Sequence, residues 1–399
     1  MAPTKETKRP VNAYRVPAML KNLSYKLTSA LSSSEVPTLK KNGEFSKAIR
    51  TEQLFPTTDP TIDGDDCLHD CASCSVKYPR KFDIDETEEL YGHVKGWSTH
   101  LIVATGKTDW VRDVADEKGS IMEAVDKGDV QPSNGKLMLS ASDMPVPNHS
   151  DHSSMVLLLP SWQFIDNVTP ANTPDLIRNY VNPSPTNNTP LPTRTASTQT
   201  APPQPEESPS IPPKIATASP LQARPCPHKY LILMCSQKTR DARCGQSAPL
   251  LRREFERILR PMGLYRDLHD ERPGGVGIYF ISHVGGHKFS ANVMVYRHSS
   301  VISSPTQTNG HANGATNGVQ ESLQKMQIRD EAGQEVLLDA DNEQAEEGSG
   351  EAAQCIWLAR VRPEDCENII RYTVLQGKVV KPERQLRGGF DRCMQLASW

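Results

Sequence analysis

Short apolar runs of strand length alternate with polar loops and with segments of helical periodicity, and this rhythm occurs twice along the chain. The later occurrence is the clearer. Lys229 to Met234 reads as a buried strand, followed by a polar loop from Cys235 to Gln246. Ser247 is then suited to cap a helix, with Pro249 tolerated in its first turn. Leu251, Phe255, Ile258 and Met262 recur at helical spacing on one face, and Gly263 marks a stop. Val276 to Ile281, Ala291 to Tyr296 and Cys355 to Val361 read as strands. A helix opens at Pro363 and turns Ile369, Ile370, Val374 and Leu375 inward. The order predicts an α/β fold with one mixed sheet.

The earlier occurrence has strands at Leu101 to Thr105, Leu137 to Ser140 and Met155 to Leu159, with helical character from Ser120 to Val125. LIVATGKT from Leu101 aligns with LILMCSQKT from Leu231, and Thr105 then falls where Cys235 stands. That suggests a duplicated fold whose first copy lacks the cysteine; any buried strand followed by a polar loop gives the same likeness.

Composition divides the chain further. Fourteen prolines lie between Pro170 and Pro225 among Thr, Ser and Asn, which predicts an extended linker. Residues 299–354 are rich in Gly, Asn, Gln and Glu and read as a disordered insertion. The expected organisation is a basic leader over 1–58, an N-terminal α/β domain over 59–165, a linker over 166–225 and a C-terminal domain over 226–399 that carries the insertion.

From Thr7 to Ser34 the leader has no acidic residue. It carries Lys8, Arg9, Arg15, Lys21 and Lys26 and ends in serines. Met19, Leu20, Leu23, Leu27 and Leu31 fit one helix face, the pattern of a mitochondrial transit peptide; the alternative is a basic tail on a cytosolic protein. The formal net charge of -3 gives no global field for nucleic acid. No apolar run reaches the roughly 18–20 residues that span a bilayer. The nine cysteines are odd in number and no secretory segment precedes them, which favours metal or redox chemistry over a disulfide scaffold.

Two cysteine and histidine pairs stand out. Cys235 and Cys244 share the loop after one strand, with eight residues between them. His283 and His287 flank Val-Gly-Gly after another. Strands that share a direction bring such ends together. Lys238, Arg240 and Arg243 in the first loop favour thiolates and an anionic group. Gly285 and Gly286 make a helix unfavourable between the histidines and allow a close wrap. Three explanations fit these residues: zinc held by two sulfurs and two nitrogens, a [2Fe-2S] cluster with mixed ligation, or no metal at all.

The stretches CSQKTRDARCG from Cys235, HVGGHKFSANVMVY from His283 and HLIVATGKTDWVRDVADEKGS from His100 resemble the sucrase/ferredoxin-like family of thioredoxin-fold ferredoxins. The likeness covers both blocks but neither the linker nor the insertion. It implies a C-terminal thioredoxin-like ferredoxin domain preceded by a second, duplicated one. It also implies a [2Fe-2S] cluster with Cys235, Cys244, His283 and His287 as ligands. The function implied is single-electron transfer in mitochondrial redox or thiol homeostasis, by a carrier rather than an enzyme with its own substrate. Donor and acceptor proteins are undefined. The terminal Trp399 resembles a recognition tail for cytosolic iron-sulfur assembly machinery, which pulls against the leader. Nothing in the residues supports the "sucrase" of the family name, since no acid and nucleophile carboxylates are paired by motif.

Two other functions stay open: a structural zinc-binding adaptor, and a thiol oxidoreductase that uses Cys67, Cys71 and Cys74, a candidate second redox or metal site. Three cysteines fall short of the usual four zinc ligands. Cys355 and Cys366 read as core or surface cysteines. Cys226 with His228 is a minor ligand alternative, and Cys393 has no evident partner.

Overall fold

The computed structural model describes residues 45–146, 153–192, 221–302 and 350–399. Most of the expected leader, the middle of the linker and residues 303–349 of the insertion lie outside the described residues. The strands are, in chain order, β1 (Ser46–Lys47), β2 (Thr99–Ala104), β3 (Leu137–Ser142), β4 (Ser154–Leu159), β5 (Gln163–Val168), β6 (Gln222–Pro225), β7 (Tyr230–Cys235), β8 (Tyr265–Arg266), β9 (Val276–Ile281), β10 (Val293–His298), β11 (Ala352–Leu358), β12 (Leu386–Asp391) and β13 (Leu396–Ala397).

These strands form one mixed sheet, ordered β1-β13-β12-β11-β10-β7-β9-β3-β2-β4-β5-β6, with β8 also on β9. In the first half β2 runs parallel to β3 and antiparallel to β4, and β4 is antiparallel to β5. In the second half β7 runs parallel to β9 and antiparallel to β10, and β10 is antiparallel to β11. Each parallel pair is connected through a helix, Ile121–Lys127 in one half and Ala242–Leu259 in the other. The halves join where Ser142 of β3 pairs with Ile281 of β9.

Strand alternation explains how the continuous apolar runs are buried. On β7, Ile232 and Met234 pack beneath Leu251 and Phe255 of the long helix. Leu231 and Leu233 point the other way, into a core shared with Ile102, Ala104, Leu157 and Leu159 of the first half. Leu101 and Val103 face the first half's own helix at Ile121, Met122 and Val125. The sheet is thus covered by helices outside and closed on itself inside. Buried His100 of β2 ties the halves together, with Nδ1 3.1 Å from the Tyr296 hydroxyl of β10 and Nε2 2.9 Å from Ser140 Oγ.

The compositional boundaries shift. Residues 45–58 are part of the fold and not of the leader: β1 pairs with β13, and Leu54 and Phe55 are in the core. The linker composition begins inside structure. Asp166 and Val168 belong to β5, and residues 173–181 are helical, with Leu176, Ile177 and Val181 buried. Proline at a helix's first turn or between elements is compatible with packing, which composition alone does not reveal. Gln222–Pro225 pairs with β5, so the far end of the linker also forms sheet. The insertion is narrower than 299–354, because Ala352 and Ala353 already lie in β11. The two expected domains share one sheet.

Candidate functional site

β7 and β9 are parallel and in register from Tyr230 opposite Val276 to Cys235 opposite Ile281, so their C-terminal ends lie side by side. Cys235 closes one strand and His283 follows the other. The long helix then returns Cys244 to the same place. It begins earlier than its composition suggests: Asp241, not Ser247, is the cap, and its side chain accepts from the Arg243 N–H at 2.9 Å. Cys244 therefore sits in the first turn. Ser247 is instead a buried side chain, 3.1 Å from Ser290 Oγ, and Ser290 Oγ lies 4.0 Å from Cys244 Sγ.

Both cysteines are buried. The Cys244 thiol donates to Cys235 and, with His283, holds the Cys235 thiol well below its ordinary range; the same bond, with burial, pushes Cys244 up. The two imidazoles stack with centroids 4.0 Å apart and face each other through Nδ1 at 3.1 Å. Burial first, and His283 second, keep His287 below the usual histidine range. The contacts thus run in a line from Cys244 to Cys235, His283 and His287. Among the described residues, no group of three or more Cys, His, Asp or Glu could hold a single metal ion.

The glycine wrap expected between the histidines is present, with Gly285 and Gly286 at φ +93° and +71°. A side chain at Gly286 would meet the guanidinium of Arg387 at 2.6 Å. That guanidinium donates to Gly285 O at 3.0 Å and to Asn292 Oδ1 at 2.8 Å, and it lies over the Trp357 ring. Burial pushes Arg387 down to about 10. Its Nε, like that of Arg240 in the cysteine loop, is buried without a partner.

The first half completes the site. Ser236 Oγ donates to Thr108 O at 2.7 Å. Gln237, almost fully buried, donates to Val111 O at 2.5 Å and accepts from the His283 N–H at 2.9 Å. Asp109 accepts from the Thr239 N–H and hydroxyl at 2.9 and 2.7 Å. Sequence reading missed Gln237, Asp109, Ser290 and Arg387 as site residues. Asp109, Gln237 and Ser290 lie within the three stretches that carry the family likeness, but nothing in their spacing marked them, and Arg387 lies outside those stretches.

The other cysteines are dispersed. Cys226 begins the second half, before β7, while Cys235 ends that strand; His228 there bonds the Tyr279 hydroxyl at 2.9 Å. Cys355 and Cys366 are fully buried, so of the two readings the core one holds. Cys67 is buried in a short turn, whereas Cys71 and Cys74 are half-exposed on the wall of a cleft. Trp399 is half-buried, its ring 4.6 Å from that of Trp97, in space left free by Gly96.

Residues 90–388 match the sucrase/ferredoxin-like family, and the chain belongs to it. It is similar to the actin patches distal protein 1 of Saccharomyces cerevisiae, 52% identical over 68 residues, which cover 17% of this chain and 22% of that protein. It is also similar to altered inheritance of mitochondria protein 32. In Clavispora lusitaniae that protein is 26% identical over 155 residues, covering 39% and 33% of the two chains. In Debaryomyces hansenii it is 40% identical over 68 residues, covering 17% and 21%. The aligned segments span a third or less of these relatives' length. No solved structure matches. No helix among the described residues is long and apolar enough to cross a membrane.

Proposed function

We propose that this chain carries single electrons through a [2Fe-2S] cluster held by Cys235, Cys244, His283 and His287. The observation that carries the proposal is the unbroken line of contacts through these four side chains at one end of a parallel strand pair. The donor set fits: two adjacent sulfurs, one of them favoured as thiolate, and two imidazoles suit the mixed ligation known for such clusters. The unpartnered guanidinium nitrogens of Arg240 and Arg387 suit an anionic group in the same place.

Such a cluster, when bound, supplies one-electron redox chemistry at a potential raised by imidazole ligation. The chain's own residues do the rest. Arg387 holds the glycine turn, Gln237 fixes the backbone of His283, and the loop from the first half shields the cysteine loop. An imidazole retains a second nitrogen that can take up a proton, which a thiolate lacks. Reduction is therefore expected to draw in a proton, and the potential to fall as pH rises. A potential that stayed flat from about pH 6 to about pH 9, around the histidine range, would contradict this coupling.

The repeated arrangement of strands and helices supports reading each half as a thioredoxin-like unit, with the cluster in the second alone. The acid-poor leader and the names of the relatives similar to this chain favour a mitochondrial location. A cytosolic one is the alternative, in which assembly machinery would recognise Trp399 after that indole leaves Trp97.

The test is iron content and visible absorption of protein purified without oxygen, beside His283→Cys. About two irons per chain, with a spectrum altered by the variant, are expected. Colourless protein carrying zinc or no metal would overturn the proposal.

A further inference from the structure

We infer that Cys71 and Cys74 form a thiol–disulfide exchange pair that accepts a small peptide disulfide of the glutathione type in the cleft beside them. This inference does not depend on the cluster. The Cys71-Ala72-Ser73-Cys74 segment is a tight turn in which the Cys74 N–H donates to Cys71 O at 3.3 Å. Residues three apart in such a turn have Cα atoms within about 7 Å, the range that a disulfide can bridge. The turn is anchored where the Cys71 N–H donates to Glu364 O at 3.0 Å.

The surroundings of the two sulfurs differ in the way an exchange pair requires. Cys71 Sγ receives Arg257 Nη2 at 3.6 Å, so negative charge on this sulfur meets a donor. Cys74 Sγ donates to Val76 O at 3.4 Å, and the Glu254 carboxylate acts on the thiol electrostatically. Burial first, and that carboxylate among the other causes, push the Cys74 thiol up, so it keeps its proton until attack. Glu254 is wholly buried on the long helix. Its Oε1 is paired with Arg257 at 2.5 Å, and its Oε2 has no partner.

The cleft has a volume of about 530 Å³, which suits a ligand of tripeptide size. Tyr78 and Phe82 give it aromatic walls and Lys77 supplies a cation for a carboxylate, while Arg362 Nη2 is paired with Glu86 at 2.7 Å and Glu364 also lines the cleft. Arg362 Nε is itself buried without a partner.

The chemistry balances without a further reactant. The Cys71 thiolate attacks one sulfur of the disulfide RS–SR, and RS⁻ leaves and takes a proton. Cys74 then gives its proton to Glu254 and attacks the Cys71 sulfur. The second RS⁻ leaves and receives the proton from Glu254. The protein dithiol is oxidised to a Cys71–Cys74 disulfide and RS–SR is reduced to two thiols.

The experiment exposes the full chain to mixtures of oxidised and reduced glutathione and maps the products by peptide mass. Wild-type protein is expected to form a Cys71–Cys74 disulfide. Cys74→Ser should trap glutathione on Cys71, and Cys71→Ser should form no such adduct. Glu254→Gln should slow disulfide closure on the order of 10²-fold while mixed-disulfide formation keeps its rate, a split that a merely structural carboxylate would not produce. A link from Cys74 to Cys366 or Cys67, uniform modification of all exposed cysteines, or closure unaffected by Glu254→Gln would overturn the assignment. Because the wild-type mapping needs no substitution, a variant that fails to fold leaves it intact. Iron content measured in the same samples separates this outcome from that for the cluster.

Discussion

The loops that follow β2 and β7 occupy matching places in the two halves and do opposite things. After β2, Thr105 Oγ1 donates to Ser142 O at 2.7 Å and accepts from Trp110 Nε1 at 2.8 Å, so the loop is satisfied within its own half. After β7, the matching position is Cys235, whose nearest chemistry is another thiol and the His283 imidazole. The second loop has almost no apolar residues of its own. It is ordered instead by carbonyls and a carboxylate from the first, at Thr108, Val111, Arg112 and Asp109. One copy of the arrangement is scaffold, and the other is placed for chemistry because the first holds its loop.

The sharpest way to break this comparison is to exchange the two kinds of residue. Cys235→Ser is expected to abolish iron binding, from about two per chain to none, while leaving the fold intact. Thr105→Val removes a donor and an acceptor around buried Trp110 and should cost about 2 kcal/mol of stability, with iron retained. Iron analysis together with urea unfolding distinguishes them. Equal losses of iron in both variants would mean that the halves do not divide the work.

The seam between the halves carries the next effect. Burial drives His100 down to about 3, so the folded protein keeps it neutral. In the unfolded chain it takes up a proton below about pH 6.5. The neutral form's contribution is therefore complete above that pH and is lost as pH falls toward 3, at up to about 1.4 kcal/mol per unit. His100→Gln, which does not titrate, should flatten the acid side of a stability-versus-pH curve by that slope. His228 and His298, each held down to about 4 by burial, would keep a residual slope. A curve unchanged by the variant would show that the seam is not closed around His100.

The strands β2, β4, β7, β9, β10 and β11 were legible in the sequence because each is buried on two faces and reads as an apolar run, whereas β5, β6 and β12, whose sequences mix polar residues or glycines into the run, were not. The glycine wrap between His283 and His287 was equally plain, since Gly-Gly disfavours a helix there and permits the positive φ that a close wrap needs. The joining of the halves was not legible. It rests on a short ladder around Ser142 and Ile281, between strands far apart in the chain, on the His100–Tyr296 contact, and on a core filled by the alternate side chains of strands that look alike. The helix start was misplaced because Ser247 and Asp241 are both good caps, and only the fold turns Ser247 inward. Gln237 and Asp109 left no pattern, because their partners are backbone groups of the opposite loop.

Asp109 gives the smallest expected effect and the finest test of the clamp. Its carboxylate is held below the ordinary range despite partial burial, chiefly by the N–H and hydroxyl of Thr239. Those two bonds tie the first half's loop to the cysteine loop at a half-exposed position. Asp109→Ala should therefore cost only about 1 kcal/mol in global unfolding. If the loop acts as a cover, that energy is concentrated on one local opening, and release of iron to a chelator should quicken by up to about tenfold, the rate equivalent of about 1.4 kcal/mol. Asp109→Asn keeps one acceptor and should fall between. Iron release at the wild-type rate in both variants would reduce the first half's loop to a neighbour of the site, and the ordering of the cysteine loop would then rest on Gln237 and Ser236 alone.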